Sequence, residues 1–481
     1  MAVILVHFIH AWKTLLYSYL ALAVTYYHKA LGRTAVGPAH GSLTVTDNRT
    51  KRTYHLPIAH NAVRALDFRQ ITAAQPGADF VDYVDSGLRI IDKGYLNTAC
   101  MESSITLIDG KRGYIQYRNH SIEDLFEHND YEEVIHLLIW GKLPTATQKQ
   151  TLRQKLAMEM KPHQCVIDVI QAFPPDSLTF PMILAALSAY ASVDEGTRAT
   201  HSKGEPQYLG RPQAVDKAVI RTLAIFATTV ALVYCHKRGR AFQPPHPEGS
   251  FIGNVLLMMG VVEPNRQKQP PKPNRKIEAC FQRLWILYAD HEMTNSTAAF
   301  LHAASTLTDP LSCCVTGIVS AYGPLHGGAI DIAYQEFEKV GIPANVPTLI
   351  AAVKAKKQRL FGYGHRIYKV VDPRTKFIRR LMDEHKDQLR ANPLLQVALE
   401  IDRVASEDAY FTSRNLKANA DLYGCFLYTA LGFETDIIVA LASLSRTPGV
   451  LAHWREAMGQ TPMLWRPQQI FTGTVEPAES K

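Results

Sequence analysis

The chain has 481 residues, too many for one small core, so it predicts either two or three structural units or one large helical body with a smaller lobe. Its 47% hydrophobic and 20% charged residues exclude a largely disordered chain. The net charge of +8 is modest, and its short basic runs fit solvated helix faces, a nucleic-acid surface or a site for a polyanionic small molecule. The seven cysteines are odd in number and scattered, which argues against a disulfide framework or a zinc site.

The first feature in chain order is an apolar run from Val3 to Tyr27. Lys13 interrupts it, and the uninterrupted part is shorter than the ~20 residues that a membrane-spanning helix needs. The run also lacks the charged start of a secretory signal and the Arg- and Ser-rich character of a mitochondrial transit peptide. A membrane anchor, a dispensable extension and a misassigned translation start therefore all remain open for residues 1–40.

Two β-hairpins are predicted before any helix. Residues 41–58 alternate polar and apolar around an Asp-Asn turn, and a second β-like stretch, residues 104–117, turns at Asp109-Gly110. Helix signals dominate from there, beginning at Ser121, whose spacing to Asp124 is typical of a helix cap. The body of the protein is therefore expected to be mainly α-helical.

Three further helices have clear boundaries or burial patterns. One begins near Tyr131 and ends at Gly141. Residues 214–237 are apolar nearly all round with charges near both ends, which favours a buried helix over a membrane span. A third, from about Ile277 to Asp290, follows a proline-rich loop.

His291 lies in the segment Leu-Tyr-Ala-Asp-His-Glu-Met. With Glu292 it is similar to the start of a His-Glu-x-x-His zinc motif, but Asn295 stands where the second ligand would be. Asp290, His291 and Glu292 are consecutive and would point in different directions on a helix. No metal site is therefore predicted.

Two glycine-rich segments each present a histidine. Glycines around His326 let a substrate approach closely, and a neutral imidazole N–H can stabilise an enolate oxygen. A His-Gly-Gly loop can also form an esterase oxyanion hole, but the Gly-x-Ser-x-Gly nucleophile is absent from the sequence. His365 lies in a bend near Arg366, Lys369 and Arg374, which suits a carbonyl substrate that bears carboxylates.

Together these segments resemble the citrate synthase family. The matching segments, in the family's order between about residues 41 and 473, are GYLNTACMESSITLIDG, DYEEVIHLLIWGKLP, ADHE, GPLHGGA, GYGHRIYKVVDPR, NADLYG, SRTPGVLAHWRE and WRPQQIFTG. The resemblance implies a mainly α, two-domain helical fold with a small N-terminal β region. The implied parts are an extension (1–40), a large helical domain with β-hairpins (41–330), a small lid domain (331–431), a return to the large domain (432–475) and a tail (476–481).

The resemblance also implies an acyltransferase that converts the acyl group into alkyl on transfer. It would condense an acyl-CoA with oxaloacetate and hydrolyse the thioester, giving a citrate or alkylcitrate and free CoA. Asp421 would remove the α-proton, His326 would donate a hydrogen bond to the thioester oxygen, and His365 would polarise the oxaloacetate ketone.

Further residues match binding positions of the family. His291, Arg374 and Arg446 would hold oxaloacetate, while Arg466 would reach the site from the other subunit of a homodimer. Arg359 matches a basic position near the CoA phosphates. The resemblance implies neither a cofactor nor a nucleic-acid partner; a cytoplasmic location is expected, with mitochondrial and membrane-associated ones open.

Five residues depart from the pattern of many citrate synthases. Tyr288 replaces histidine, as in 2-methylcitrate synthases; Phe180 also replaces histidine, Leu301 an arginine, Ile330 an asparagine and Leu422 a larger aromatic residue beside Asp421. Several of these changes make the surroundings less polar. They favour a substrate longer than acetyl-CoA, as in the alkylcitrate synthases of secondary metabolism, while an acetyl-CoA enzyme, a 2-methylcitrate synthase and an inactive binding subunit stay as alternatives.

Overall fold

The computed structural model describes residues 41–73, 87–264 and 270–473. It divides into two compact units, Met1–Glu102 with Gln469–Lys481, and Ser103–Gln468. The apolar run of residues 3–27 and the tail of residues 476–481 lie outside the described residues. The predicted division into a large and a lid domain stays a prediction.

The first unit contains the hairpin predicted for residues 41–58. Strand β1 (Gly41–Thr46) pairs antiparallel with β2 (Thr53–Ala59), and a short β3 (Ala62–Val63) follows. The turn is closed by the backbone N–H of Asp47, which donates to the carbonyl of Arg52 at 2.8 Å. A 3₁₀ turn, Ala65–Gln70, comes next.

The second unit opens with the second predicted hairpin. Strands β4 (Thr106–Asp109), β5 (Tyr114–Tyr117) and β6 (His120–Ser121) form a three-stranded antiparallel sheet. The Asp109 carboxylate accepts the backbone N–H groups of the two turn residues Lys111 and Arg112 at 3.0 Å.

Helices account for nearly all regular structure in the rest of this unit, so the expected helical fold is confirmed. They are α1 Ile122–His128, α2 Tyr131–Trp140, α3 Ala146–Glu159, α4 Gln164–Gln171, α5 Thr179–Val193, α6 Glu195–Lys203, α7 Pro212–Arg238, α8 Phe251–Met258, α9 Arg275–Tyr288, α10 Asn295–Ala304, α11 Pro310–Ala321, α12 Ala329–Val340, α13 Val346–Lys354, α14 Arg374–Glu384, α15 Lys386–Leu389, α16 Leu394–Glu407, α17 Ala409–Thr412, α18 Asp421–Ala430 and α19 Thr435–Met458. A 3₁₀ turn, Pro343–Asn345, precedes α13.

The predicted helix ends are set by local chemistry. The Ser121 hydroxyl accepts the Asp124 N–H at 3.1 Å and starts α1. Gly141 ends α2 with a left-handed φ of 79°, a conformation that costs glycine little. Helix α9 begins two residues before its predicted start, because the Asn274 side chain caps it.

Helix α7 is the centre of the helical body. In its most apolar stretch of 18 residues, 94% is buried. The helix that the sequence predicted to be apolar on nearly all sides is therefore a core helix. It packs against α19, α5 and α3. Among the described residues it is the one single helix whose length and composition would allow a membrane span, and its burial argues against one.

Candidate active site

The chain brings four segments together around the predicted reacting groups. His291 follows α9, His326 lies in the turn between α11 and α12, His365 lies in a loop, and Asp421 is the first residue of α18. A Cβ at Gly328 would lie 2.2 Å from the Tyr322 carbonyl oxygen, so the tight turn beside His326 requires glycine.

Helix α19 contacts the segment that carries His291 at a point where one of the helix's own backbone hydrogen bonds is replaced. The Gly449 N–H donates to the Ala289 carbonyl at 3.1 Å instead of staying within the helix, and the Tyr131 hydroxyl donates to the freed Ser445 carbonyl at 2.7 Å. A Cβ at Gly449 would lie 2.3 Å from the Asp290 carboxylate. The glycine therefore permits a close approach that positions His291.

His291 and His365 face each other across a short gap. Their ring centroids are 5.5 Å apart at 76°, and the His291 Nε2 is 2.7 Å from the Tyr368 hydroxyl. Burial, and then the charge of Arg374, hold the pKa of His291 well below its usual range. The ring is therefore neutral and can bind a ligand only through hydrogen bonds.

The hydrogen bonds of His365 define its tautomer. Its Nδ1 accepts the backbone N–H groups of Ile367 at 3.1 Å and Tyr368 at 3.3 Å. Burial, and then Arg374, lower its pKa to about 4, so the neutral ring carries its proton on Nε2. That N–H can donate to a carbonyl oxygen.

His326 has the opposite tautomer. Its Nε2 accepts the backbone N–H of Ser296 at 3.3 Å and lies 2.9 Å from the hydroxyl of the same serine. Burial, and then Arg446, lower its pKa to about 4. The proton of this neutral ring is therefore on Nδ1, where it can donate to a second carbonyl oxygen.

Asp421 has the electrostatics of a base that works near neutral pH. Asp421 is the first residue of α18, and its backbone N–H donates to the Asn419 side chain at 2.9 Å. Burial raises its pKa to about 6, although Arg374 and Arg446 favour the charged form. A carboxylate with a raised pKa is a stronger base than an ordinary aspartate.

Two arginines supply positive charge beside these groups. Arg374 is 6% exposed and forms an ion pair with the buried Asp372 at 2.6 Å. Arg446 donates through Nε to the Tyr288 carbonyl. Both cations act on the pKa values of His291 and Asp421, so they lie in the same centre. Guanidinium groups of this kind bind carboxylates.

The structure leaves two predicted residues away from the cluster. Arg359 and Arg466 are exposed, and within the described ranges no contact joins either one to the histidines or Asp421. The neighbour of Arg466, Trp465, is anchored by a 3.1 Å bond from its backbone N–H to the Ser305 hydroxyl. In the part of the chain that the structure describes, no group of three or more His, Cys, Asp or Glu side chains could hold a metal ion.

A family model described as "Citrate synthase, C-terminal domain" matches residues 94–468. The chain belongs to the citrate synthase family. The predictions of the family, of the helical fold and of an enzyme that condenses an acyl-CoA with oxaloacetate are thereby confirmed.

Similar proteins cover nearly the whole length. The chain is 48% identical over 436 residues to "Citrate synthase-like protein oryE" of Aspergillus oryzae, covering 91% of this chain and 96% of that protein. It is 37% identical over 438 residues to "Alkylcitrate synthase phiJ" of a fungal species, covering 90% and 94%. A solved ternary complex of carboxymethyl coenzyme A and oxaloacetate with citrate synthase from Thermoplasma acidophilum superposes with a TM-score of 0.71, at 26% identity, covering 80% of this chain and 97% of that one.

Two residues that bond the histidines of the candidate centre were not predicted from the sequence. Ser296 fixes the tautomer of His326, and Tyr368 bonds His291. Tyr368 stands three residues after His365 in a segment already singled out, so its proximity gave a signal. Ser296 gave none, since 30 residues separate it from His326.

The five departures from the citrate synthase pattern lie in buried positions. Leu301, Ile330 and Leu422 are 3%, 4% and 0% exposed, and a Cβ at Gly362 would lie 3.0 Å from the Leu422 Cβ. Phe180 stacks on Tyr322 with ring centroids 4.8 Å apart. The Tyr288 hydroxyl is buried and has no hydrogen-bond partner among the described residues.

Proposed function

We propose that the enzyme condenses an acyl-CoA longer than acetyl-CoA with oxaloacetate and releases an alkylcitrate and CoA. The observation that carries the proposal is the pair of apolar departures Ile330 and Leu422, because both are buried beside segments that carry the predicted reacting residues. The 37% identity, over 90% of the chain, to an alkylcitrate synthase supports it.

The geometry supports a division of labour among the three predicted reacting groups. Asp421 has the pKa for removing the α-proton of the acyl-CoA. His326, through Nδ1–H, would stabilise the enolate oxygen, and His365, through Nε2–H, would polarise the oxaloacetate ketone. Neutral donors suit this role, since a neutral N–H stabilises developing charge without giving its proton away beforehand.

The remaining centre fits a dicarboxylate. Arg374 and Arg446 supply two cations, and neutral His291 supplies a hydrogen bond. We assign all three to oxaloacetate, and Arg359 to the CoA phosphates. The proposed reaction needs no bound cofactor, because the thioester activates the α-carbon.

Measuring kcat/KM for acetyl-, propionyl- and hexanoyl-CoA with oxaloacetate tests the chain length. We expect hexanoyl-CoA to give the highest value. A preference for acetyl-CoA would overturn the proposal, and a preference for propionyl-CoA would favour the 2-methylcitrate synthase alternative that Tyr288 suggests.

A matched pair of variants tests the contribution of Leu422. Leu422→Phe adds bulk beside Asp421 and should lower kcat/KM for hexanoyl-CoA relative to acetyl-CoA. Leu422→Met nearly conserves the volume and should leave that ratio unchanged. Equal ratios in both variants would exclude Leu422 as a determinant of chain length.

Asp421→Ala should abolish CoA release in a folded protein.

We also propose a homodimer in which Arg466 acts in the partner's centre. Its exposure, on a segment that leaves α19, supports this. Mixing Arg466→Ala with Asp421→Asn subunits would form one intact centre per mixed dimer, so random exchange should restore about a quarter of wild-type activity. No recovery, with exchange shown by mass, would contradict the role of Arg466 in trans.

A further inference from the structure

Asp402, on α16, accepts hydrogen bonds from three side chains that belong to three different segments. The Tyr363 hydroxyl donates to its Oδ1, while the Tyr423 hydroxyl donates to its Oδ2 at 2.7 Å. The Arg379 guanidinium, from α14, also donates to Oδ2 and lies 3.0 Å from the Tyr423 hydroxyl. The Asp402 side chain is only 14% exposed, so this carboxylate is well shielded from water.

The two tyrosines flank the proposed reacting groups. Tyr363 stands two residues before His365, and Tyr423 stands two residues after Asp421. Their segments also meet through the backbone, since the Gly364 N–H donates to the Lys417 carbonyl at 2.7 Å. Asp402 therefore contacts the segment that carries His365 and the segment that carries Asp421.

The tyrosine hydroxyls stay protonated donors over the working pH range. Burial, and then the neighbouring Asp402 carboxylate, raise the pKa values of Tyr363 and Tyr423 above their usual range. Hydrogen bonds to an ionised acceptor are shorter and stronger than neutral ones. Arg379 balances the charge and stacks over the Tyr423 ring at 4.9 Å.

We propose that Asp402 is a positioning residue that fixes His365 and Asp421 relative to each other for carbon–carbon bond formation. The inference rests on the proposed roles of those two residues, whichever acyl-CoA the enzyme prefers. Asp402 acts through its bonds to Tyr363 and Tyr423. Small errors in the geometry of reacting groups are costly, because about 1 Å of displacement can reduce a rate about 100-fold.

The test compares Asp402→Asn with two controls on the same helix, in the full-length enzyme. Asn keeps the size but can accept through only one side-chain oxygen, so one tyrosine loses its bond to that side chain, while the 3.0 Å bond from the Tyr363 hydroxyl to the backbone carbonyl of residue 402 remains. Asp402→Glu retains the carboxylate. Glu400→Gln removes a different, outward-facing ion pair, that with Arg403 at 2.7 Å.

The readouts are kcat, KM for oxaloacetate and the isotope effect on kcat with α-deuterated acyl-CoA. In Asp402→Asn we expect kcat to fall about 10- to 100-fold, with KM changing less, because the oxaloacetate arginines keep their own anchors. The isotope effect should rise above wild type, since misplacing Asp421 slows proton removal. Asp402→Glu should recover part of kcat, and Glu400→Gln should match wild type.

A merely structural role would reduce the folded fraction and leave the isotope effect unchanged, which would overturn the inference. If Asp402→Asn does not fold, Tyr363→Phe and Tyr423→Phe each remove one hydroxyl while keeping the ring. Each should lower kcat and, for Tyr423→Phe, raise the isotope effect; normal kinetics in both would equally overturn it. An active Asp421→Asn enzyme would instead refute the proposed role of Asp421 as the base, and a preference for acetyl-CoA would refute the proposed chain length, so these failures are distinguishable from failure of the inference.

Discussion

The raised pKa of Asp421 predicts a steep acid limb in the pH dependence of the reaction. With a pKa of about 6, this carboxyl is about 90% ionised at pH 7 and about 10% ionised at pH 5, so kcat/KM should fall about tenfold between them. With the ordinary pKa of 3.8, the carboxyl would be over about 90% ionised at pH 5, and kcat/KM would barely change. The two cases differ by far more than assay error.

The histidines do not obscure this limb. His326 and His365 have pKa values of about 4, so about 90% of each ring is still neutral at pH 5. Their protonation should add a further loss only near pH 4. Of these three groups, Asp421 is therefore the one that titrates between pH 7 and pH 5.

The assay follows release of the CoA thiol at low acyl-CoA and saturating oxaloacetate, from pH 4.5 to 8. Circular dichroism of the same samples shows whether the enzyme stays folded, and activity regained on return to pH 7 excludes irreversible loss. A profile that stays flat down to pH 5 in folded enzyme would refute the burial argument for Asp421.

Three further variants test the packing and charge of the centre. Asp421→Asn should be inactive yet more stable at pH 7, by at most on the order of 3 kcal/mol, because a folded-state pKa raised from 3.8 to about 6 means that the ionised form destabilises the fold. In urea unfolding the gain should shrink as the pH falls below about 6 and vanish at about pH 3, where the carboxyl is largely neutral in both states. Gly449→Ala should cost about 1–3 kcal/mol in the same assay, although alanine favours helix, because its Cβ would lie 2.3 Å from the Asp290 carboxylate; an unchanged midpoint would contradict that. Arg374→Gln should raise KM for oxaloacetate at least about tenfold, because it removes one of the two cations assigned to that substrate. It should also destabilise the protein by about 3–5 kcal/mol, because it leaves Asp372 buried without its counter-ion. A KM equal to that of the wild type would show that Arg374 does not bind oxaloacetate.

Local patterns predicted the parts of the fold whose cause is local. The hairpin turn at Asp109, the cap at Ser121 and the left-handed end at Gly141 each depend on residues within four positions, so their sequence signals were sufficient. The burial of α7 followed from its all-round apolar surface.

Contacts between distant segments could not be predicted in the same way. Ser296 meets His326 across 30 residues, and Asp402 meets Tyr363 across 39. Neither Ser296 nor Asp402 lies in one of the matching segments. Such contacts depend on how helices pack, and a hydrogen-bond geometry of a few tenths of an ångström has no counterpart in periodicity. The resemblance to the family predicted which residues react. It did not predict the neighbouring residues that fix the tautomers of the histidines.

Burial gives Asp421 and the histidines different roles, because it shifts their pKa values in opposite directions. The cations Arg374 and Arg446 lower the pKa values of the histidines and of Asp421 alike, so they cannot separate base from donors. Burial instead favours neutral forms, lowering the pKa of an imidazole and raising that of a carboxyl. If water entered the centre, the pKa of Asp421 would return toward 3.8 and the pKa values of the histidines toward 6.5. Asp421 would then be a weaker base, and the histidine rings would begin to protonate near neutral pH. Exclusion of water is therefore a condition for the proton transfer itself, as well as a protection of the thioester from premature hydrolysis.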